Sequence, residues 1–412
     1  MADVYLKFSC LLQDMRIGID ISCWLNQRGQ GRYTRELVRA LLKLDQANRY
    51  WLFLDAETAR QCKDLPESDR ATRVVVTTSQ EAIRGASTSG RRAFHDLWAM
   101  VCAARHYRNQ IDLFYFPSAT TFFPLWRRAK IILTIHDAIP NKYPDLIFAR
   151  RRNHLLWKLK LAYAMKRANA IVTVSDSAKR DIARAFRIKQ DTVKVIQGAV
   201  SPLFRFLGNL SESRHVAAEY GIGPEERFVL YVGGFSPHKN IGMLIDALAA
   251  LRETPGNNDL KLVLVGDWSS FQSHYLLLQT QAAGLGLTGK VVFTSFVCDS
   301  RLLHLYNAAD ILVTASIDEG FGLPPLEAMA CGTPVVASRR GALPEIIGEA
   351  GRYFDPSIKA ELPTRLQEVL HDQHLRKEMR SQGLLRSRRF SWERSALTAL
   401  ALFEQLSSKP KS

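Results

Sequence analysis

The chain has 412 residues, of which 47% are hydrophobic and 23% charged, a composition that excludes an intrinsically disordered protein. This length exceeds one ordinary core, so we expect at least two domains. No stretch reaches the roughly 18 apolar residues that a membrane helix needs, and the N-terminus has no basic region leading into an apolar one. We therefore expect a cytoplasmic protein without a membrane-spanning helix.

The net charge of +16 is confined to the first half of the chain. Residues 1–200 hold 34 Lys and Arg against 18 Asp and Glu, whereas residues 201–412 hold 22 of each. A basic half favours nucleic acid, an anionic membrane surface or an anionic substrate as partner, or it is a solvated surface that keeps the chain soluble. Composition alone leaves these alternatives open.

Short apolar, β-branched runs alternate with longer amphipathic runs, which indicates β-α-β units around parallel sheets. In the first half the predicted strands are residues 16–21, 50–54, 73–77, 112–116, 130–135 and 170–174. The stretch 198–213 breaks this pattern with Gly, Pro, Ser and Asn, which indicates an interdomain linker. The alternation then restarts with predicted strands at residues 228–232, 261–265, 290–294, 311–314 and 334–337.

This pattern predicts an α/β protein made of two doubly wound, Rossmann-like domains. We place the first domain at residues 15–198 and the second at 199–390, with a final helix at 391–407 that crosses back to the first. In doubly wound sheets, ligands bind beyond the carboxyl ends of the strands. We therefore expect a binding cleft between the two facing domains.

The segment DEGFGLPPLEAMACG, residues 318–332, is the strongest local signal and directly follows the predicted strand at 311–314. Its glycines and paired prolines end the strand and begin a helix, because proline suits the first helical turn. The backbone amides at the start of this helix should be free to bind an anion. The residues expected at this anion site are Gly320, Phe321, Gly322 and Leu323.

Two glutamates flank the expected anion site. We expect Glu319 in an exposed turn and Glu327 in the first turn of the helix. A diphosphate between them would be neutralised by the amides and the helix dipole, which leaves the carboxylates to hydrogen-bond sugar hydroxyls. The alternative is a helix capped by a Gly-Pro turn, with Glu327 simply favouring the positive helix end.

The spacing of Glu319 and Glu327 resembles the E-x7-E motif of the family 4 retaining glycosyltransferases. YVGGFSPHKN, residues 231–240, is similar to the family's phosphate-binding loop, and later elements follow in the same order at residues 261–266, 291–297 and 302–316. The resemblance runs from about residue 16 to residue 405. It implies the GT-B fold, in which two facing Rossmann-like domains bind a nucleotide-sugar donor on the second domain and an acceptor on the first.

The resemblance also implies roles for residues of the second domain. Glu319 would contact the donor sugar near its reacting carbon, and Glu327 would hold the ribose hydroxyls. Lys239 would bind the diphosphate and balance the charge that develops on the leaving group. Many family members carry Arg at the position of Gly234, so phosphate binding here relies more on Lys239. Val297 is also expected to contact the donor.

Two motifs of the first half lie where cleft residues are expected. Gly29 and Gly31 stand between the first strand and a helix, as the family's N-terminal glycine loop does, although a lone G-x-G is also a plain turn. His136 and Asp137 follow the strand at 130–135, and the matching family motif places this His beside the transferred sugar and phosphate and the Asp near the acceptor. From spacing alone, a structural role for His136 stays open.

We expect the reaction to need no metal and no bound cofactor. The chain has no Asp-x-Asp pair, no C-x-x-C pair and no zinc-like grouping of Cys with His. The cysteines, which we expect to be reduced, are Cys10, Cys23, Cys62, Cys102, Cys298 and Cys331. Retention could follow from double displacement through a carboxylate or from front-face attack assisted by the leaving phosphate, and the resemblance favours the second route.

The segment 231–240 resembles the mannosyltransferase members most, which predicts GDP-mannose as donor, with UDP-sugars as alternatives. We expect a glycan or lipid-linked saccharide of a cell-surface polysaccharide, such as lipopolysaccharide, as acceptor. An enzyme that makes a soluble glucan or disaccharide from a UDP- or ADP-sugar stays open, as does a nucleotide- or nucleic-acid-binding protein. The chain has no G-x-G-x-x-G after a strand and no RNA-binding signature, so we expect no nucleic-acid partner.

Two segments of the basic half could dock on an anionic membrane at the inner face of the plasma membrane. Residues 120–130, TTFFPLWRRAK, mix aromatic and basic side chains suited to the headgroup region. Residues 150–167 can form a basic helix with Leu155, Leu159 and Ala162 on one face. The alternative is that the aromatic residues fill a loop core and the helix packs on its sheet.

Overall fold

The structure is a computed structural model that describes residues 14–62, 64–78, 94–148 and 150–407. Within these ranges the chain forms two parallel sheets, whose apolar strands are covered by helices. The strands of the first sheet are β1 (Arg16–Asp20), β2 (Arg49–Asp55), β3 (Ala71–Val76), β4 (Leu113–Phe116), β5 (Lys130–Thr134), β6 (Ala170–Thr173) and β7 (Val193–Val195). Those of the second are β8 (Phe228–Val232), β9 (Lys261–Val265), β10 (Val291–Ser295), β11 (Ile311–Thr314), β12 (Val335–Ser338) and β13 (Gly351–Phe354).

Helices connect the strands in both domains. Up to β7 they are α1 (Gly29–Leu44), α2 (Ala56–Gln61), α3 (Phe94–His106), α4 (Ile139–Lys142), α5 (Pro144–Ile147), α6 (Arg151–Arg167) and α7 (Asp176–Phe186). After β7 they are α8 (Ser211–Ala218), α9 (Ile241–Arg252), α10 (Gln272–Gly284), α11 (Asp299–Ala308), α12 (Leu323–Ala330), α13 (Leu343–Ile347), α14 (Glu361–His371), α15 (Gln373–Ser387) and α16 (Trp392–Ser407).

The strand order creates a crevice at the same point of each sheet. The first sheet has the order β3-β2-β1-β4-β5-β6-β7 and the second the order β10-β9-β8-β11-β12-β13, with parallel pairing throughout the described strands. The winding direction therefore reverses between β1 and β4, and again between β8 and β11. Loops after the strands at such a switch point line the ligand crevice of a doubly wound sheet.

The two sheets confirm the predicted architecture of two doubly wound, Rossmann-like domains. Every predicted strand is present, with bounds within two residues of those expected. The prediction missed β7 and β13, each of which forms one of the two edges of its sheet. β7 has three residues with an exposed lysine in the middle, and β13 begins with glycine, so neither has a run of apolar β-branched residues.

The last helix, α16, returns to the first domain and packs on α1. The Trp392 ring meets the Tyr33 ring edge to face with centroids 5.7 Å apart, and Lys130 Nζ donates to the Leu406 carbonyl oxygen at 2.7 Å. The predicted domain boundary at residues 198 and 199 falls in the irregular stretch between β7 and α8. Phe204 of this stretch is buried in the core, so the linker is packed against both domains.

Within the described residues, no helix is both long and apolar enough to cross a membrane. In the same ranges, no group of three His, Cys, Asp or Glu residues is arranged to hold a metal ion. The described cysteines are free thiols, and Cys10 lies outside the described residues.

Candidate functional site

Four loops that follow strands near the two switch points supply most of the predicted site residues. In the first domain, the loop after β1 leads to Gly29, and the loop after β5 carries His136 and Asp137. In the second domain, the loop after β8 ends at Lys239 and the loop after β11 carries Glu319. Because all four loops leave the carboxyl ends of their strands, they line the cleft between the sheets.

Gly320 lies directly against the loop of His136 and Asp137. A Cβ atom on Gly320 would stand 2.6 Å from the carbonyl oxygen of His136 and 2.9 Å from the Cβ of Asp137, so only glycine fits this approach. The Ser175 hydroxyl of the first domain donates to the Gly320 carbonyl oxygen at 2.6 Å. The E-x7-E segment and the His-Asp segment therefore belong to one site, although different domains supply them.

Glu319 and Lys239 form an ion pair between two loops of the second domain. Lys239 Nζ donates to Glu319 Oε1 at 2.5 Å, and Ser316 Oγ donates to the same oxygen at 2.7 Å. The prediction that Glu319 lies in an exposed turn is wrong, because its side chain is only 15% exposed. Burial favours the neutral acid, but the Lys239 ammonium outweighs it and lowers the pKa of Glu319, which keeps the carboxylate charged.

His136 is a neutral imidazole with one nitrogen already engaged. Its Nε2–H donates to the Pro117 carbonyl oxygen at 2.9 Å, and the Tyr33 ring contacts it edge to face with centroids 5.0 Å apart. Burial lowers the pKa of His136 to about 4, so the ring stays uncharged near neutral pH. With Nε2 protonated, Nδ1 is the acceptor nitrogen of the ring.

Asp137 lies two residues before the short helix α4, and its pKa is raised. Its Oδ1 accepts from the Ile139 amide at 2.9 Å. Burial raises the pKa of Asp137 to about 6, and the charge of Glu319 adds to this effect. Two carboxylates with pKa values pushed in opposite directions thus occur in one cleft, which is typical of functional sites.

Replacing Asp137 with Asn should stabilise the protein near pH 8 and have little effect near pH 4. Because the pKa of Asp137 rises from 3.8 to about 6 on folding, the folded chain holds this proton more tightly than the unfolded chain. The stability gained is complete below the unfolded pKa and is lost as pH rises through about 6. Asn keeps the oxygen that accepts from Ile139 and avoids this loss. Melting temperatures across this pH range measure the effect.

Asp145→Asn is the control, since Asp145 lies at an exposed position of α5. Its melting temperature should differ from that of the wild type by the same small amount at every pH. If Asp137→Asn shifted the melting temperature equally at both ends of the range, the burial of this carboxylate would be contradicted.

The start of α12 has the free backbone amides that the predicted anion site requires. The helix begins at Leu323, and Gly322 before it has a φ of 105°, a conformation that glycine adopts without strain. Within the described residues, the amides of Phe321, Gly322 and Leu323 donate to no protein acceptor. The free amides expected in the segment Gly320–Leu323 are therefore present at its last three residues, beside the Glu319 loop.

The N-terminal glycine loop faces the second domain. A Cβ atom on Gly31 would stand 1.9 Å from the Asn26 carbonyl oxygen, so the first turn of α1 needs glycine here. A Cβ atom on Gly29 would lie 3.8 Å from the Leu323 side chain, which places Gly29 opposite the start of α12. The loop is therefore both a tight turn and one wall of the cleft.

Glu327 departs from its predicted position in the first helical turn. It is the fifth residue of α12 and is fully buried. Its Oε1 accepts from the Arg32 guanidinium of the first domain, and its Oε2 accepts from the Tyr306 hydroxyl at 2.9 Å. The carboxylate therefore contacts protein groups on both oxygens, and the predicted contact with ribose hydroxyls is not prearranged in this structure.

Arg32 connects the two domains. Its second terminal nitrogen donates to Asp299 at the start of α11, and its guanidinium lies 5.2 Å from the centroid of the Phe204 ring. Burial disfavours the charged form, but the carboxylates of Glu327 and Asp299 outweigh it and raise the pKa of Arg32 above its ordinary value. Arg32 is therefore a permanent cation held between both domains and the linker.

Two other predicted donor contacts have different surroundings. Gly234 has no heavy atom within 4 Å of the position of a Cβ, so a larger residue would find space there, and its carbonyl oxygen accepts from the Tyr231 hydroxyl at 2.7 Å. Val297 is buried in the core between β10 and α11, with a side chain only 4% exposed. A contact of Val297 with a donor would therefore have to come from its backbone.

Two family models match the chain, one in each domain. The model for "Glycosyltransferase Family 4" matches residues 27–202, and the model for "Glycosyl transferases group 1" matches residues 213–386. With two facing doubly wound domains and an E-x7-E segment at their cleft, the chain belongs to the family 4 glycosyltransferases. This membership favours a glycosyltransferase over the alternative of a nucleotide- or nucleic-acid-binding protein.

The relatives of known function include mannosyltransferases of Escherichia coli. The serotype-specific mannosyltransferase WbdA is 31% identical over 278 residues, which make up 67% of this chain but 34% of WbdA. The O-antigen chain mannosyltransferase B is 27% identical over 387 residues, which cover 92% of this chain and 96% of that protein. The chain thus spans about a third of the length of WbdA and nearly all of mannosyltransferase B.

Solved structures share the whole fold at low sequence identity. Sucrose-phosphate synthase from Thermosynechococcus elongatus has a TM-score of 0.73 at 22% identity, covering 95% of this chain and 99% of that chain. Anabaena Alr3699/HepE in complex with UDP-glucose has a TM-score of 0.72 at 21% identity, covering 96% of this chain and 100% of that chain. These likenesses confirm the predicted GT-B fold.

Proposed function

We propose that this glycosyltransferase moves mannose from GDP-mannose to a glycan or lipid-linked saccharide, with retention of configuration, in the synthesis of a cell-surface polysaccharide. The Glu319–Lys239 pair carries the proposal, because it puts a carboxylate and an ammonium beside the free amides of α12. The mannosyl specificity is supported by the two Escherichia coli relatives, which are both described as mannosyltransferases.

The proposed reaction is a front-face substitution. The bond between the anomeric carbon and the β-phosphate oxygen breaks while the acceptor hydroxyl oxygen bonds to the same face of that carbon. The acceptor proton passes to the departing phosphate oxygen, so no protein group serves as nucleophile. Lys239 and the amides at the start of α12 balance the charge of the diphosphate. Because Lys239 supplies this cation, the proposal includes no metal and no bound cofactor.

The charged residues of the cleft divide the remaining work. When the diphosphate attracts Lys239, Glu319 is released to accept hydrogen bonds from donor-sugar hydroxyls. The acceptor nitrogen of His136 can bind a further hydroxyl, and the neutral ring does not compete with Lys239 for phosphate. Asp137, from the first domain, is proposed to orient the acceptor hydroxyl.

Thermal stabilisation by a panel of nucleotides tests the donor assignment. At one ligand concentration, a ligand that binds only the folded state raises the melting temperature more the more tightly it binds, so GDP and GDP-mannose should raise it most. If a UDP- or ADP-sugar stabilised the protein and GDP-mannose did not, GDP-mannose would be wrong as the donor. That result would favour an enzyme that makes a soluble glucan or disaccharide. Stabilisation by none of these ligands would contradict the proposed function.

Helix α6 supports docking of the first domain on an anionic membrane. Leu155, Leu156 and Leu159 are 59%, 61% and 59% exposed, whereas Leu161 and Ala164 face the core. The same helix carries exposed cations at its surface, which include Arg151, Arg152, Lys158 and Lys166. Exposed leucines flanked by cations are typical of helices that lie at a lipid interface.

The other predicted membrane segment, residues 120–130, presents neither of its phenylalanine rings, and its Trp126 is half-buried. Phe122 and Phe123 are buried in the core of the first domain, where both pack on Phe116. Its backbone is also fixed by α6, because Lys160 Nζ donates to the Thr120 carbonyl oxygen at 2.6 Å. The membrane proposal therefore rests on α6.

Wild-type protein should sediment with anionic vesicles at low salt and be released at high salt. Each basic residue near an anionic surface contributes about 1 kcal/mol, and salt screens this attraction. The double variant Leu155→Ser/Leu159→Ser should lose most of the binding. Leu277→Ser is the matched control, since Leu277 is 67% exposed on α10 of the second domain. Equal sedimentation with anionic and neutral vesicles, or none with either, would contradict the docking.

A further inference from the structure

The donor-side carboxylate Glu327 is closed off by an arginine from the opposite domain. Arg32 leaves the first turn of α1, crosses the cleft and contacts both Glu327 of α12 and Asp299 of α11. We call these three residues the Arg32 bridge. Its central contact is dry, because Glu327 is fully buried and the Arg32 side chain is only 12% exposed.

The contacts of Glu327 leave no room for a second ligand. One carboxylate oxygen accepts from Arg32 and the other from the Tyr306 hydroxyl, and no part of the side chain meets solvent. A ribose hydroxyl can reach this carboxylate only after Arg32 has moved.

We propose that the Arg32 bridge is a donor-displaced latch: Arg32 occupies the Glu327 carboxylate until the ribose of the incoming nucleotide takes its place. This inference rests on the proposed nucleotide-sugar donor. Asp299, with a side chain 39% exposed, keeps Arg32 paired after Glu327 has been given to the ribose, which avoids a buried unpaired cation. The ribose and the Arg32 guanidinium thereby compete for one carboxylate.

The latch makes a prediction opposite to that of a purely structural arginine. If Arg32 only supported the fold of the site, its loss would weaken donor binding. If Arg32 competes with the ribose, Arg32→Ala should tighten binding of GDP by roughly tenfold. This is the factor expected when Arg32 leaves Glu327 free in about a tenth of the wild-type molecules.

Calorimetric titration of the full chain with GDP and with inorganic pyrophosphate tests this. Pyrophosphate has no ribose, so its affinity should be the same in wild type and Arg32→Ala, while that of GDP rises. Arg28→Ala is the matched control, because Arg28 also crosses the cleft, to Ser270 at 3.1 Å and Asp267 at 3.7 Å, without touching Glu327. It should leave both affinities unchanged.

A second variant covers the case in which Arg32→Ala does not fold. Arg32→Lys keeps the positive charge but lacks the fork of two terminal nitrogens that contacts Glu327 and Asp299 together, so it should tighten GDP binding in the same direction by a smaller factor. Unchanged or weaker GDP binding in the folded variants, or an equal gain for pyrophosphate, would overturn the latch and leave the proposed function standing. If GDP and the other nucleoside diphosphates failed to bind the wild type, the proposed function would fail together with the latch.

Discussion

Replacing Glu319 with Gln should lower the turnover number by at least ~10²-fold, the loss that follows removal of one preorganised polar group at a reacting centre. The carboxylate is charged in the folded protein because Lys239 lowers its pKa despite burial. Gln has the same shape and keeps an oxygen for the Ser316 hydroxyl, which donates to Glu319 at 2.7 Å. The variant should therefore fold normally and lose the charge alone, which initial rates and melting temperatures measure together.

Glu349→Gln is the control for the loss of one negative charge, since Glu349 is exposed elsewhere in the second domain. It should retain wild-type turnover. A Glu319→Gln enzyme with activity within twofold of the wild type would remove Glu319 from the mechanism. A large drop in melting temperature would instead assign the residue a structural role.

Replacing Lys239 with Ala should weaken GDP binding far more than guanosine binding, since the proposed contact is with phosphate. A hydrogen bond between charged groups contributes about 1.5–3 kcal/mol, which corresponds to a loss of roughly tenfold to a hundredfold in affinity for GDP. Turnover should fall as well, because Lys239 balances charge on the leaving diphosphate. Titration with GDP, which carries the diphosphate, and with guanosine, which lacks it, measures the difference in affinity directly.

Lys290→Ala is the control for the loss of a lysine. Lys290 precedes β10 and pairs with Asp259 at 3.5 Å, at the end of the sheet opposite the cleft. Its loss should leave the binding of both ligands unchanged. Equal losses of GDP and guanosine in the Lys239→Ala variant would show that this lysine does not contact the phosphates.

The sequence predicted the sheets well because their strands are physically simple. A central parallel strand is buried on both faces, so it is a short unbroken apolar run such as ILVT in β11, which is buried along its whole length. The edge strands β7 and β13 lack this constraint and were missed. The switch-point loops were also predictable, because each begins where an apolar run ends in glycines or in charged and polar residues.

The contacts between the domains were not predictable from local patterns. Arg32 and Glu327 are 295 positions apart in the chain, and neither has a neighbour in sequence that indicates the other. Because this partner could not be predicted, Glu327 was expected to contact the donor ribose, whereas the structure places it in a buried ion pair with Arg32. Gly31, before Arg32, gave a signal because a tight turn is local, whereas the partner of Arg32 depends on how two separate sheets face each other.

The burial of single side chains was the other weak point. Phe122 and Phe123 lie beside basic residues in sequence, which favoured a membrane surface, yet both rings fill the core of the first domain. Glu319 was expected in an exposed turn, and the turn is instead closed by Lys239 and by the His136 loop that contacts Gly320. Residues distant in sequence cover Glu319, whereas the two phenylalanine rings pack on Phe116 of the preceding strand β4.

The most direct test of the central claim is a proton NMR time course of GDP-mannose with the enzyme and a mannose-terminated glycan or lipid-linked acceptor. We predict that the donor signal falls, that GDP appears, and that the new anomeric signal has the one-bond carbon–hydrogen coupling of an α-mannoside, with Glu319→Gln nearly inactive under the same conditions. A β-mannoside product would contradict retention. Consumption of no nucleotide sugar with any acceptor, by folded wild-type protein, would contradict the account as a whole.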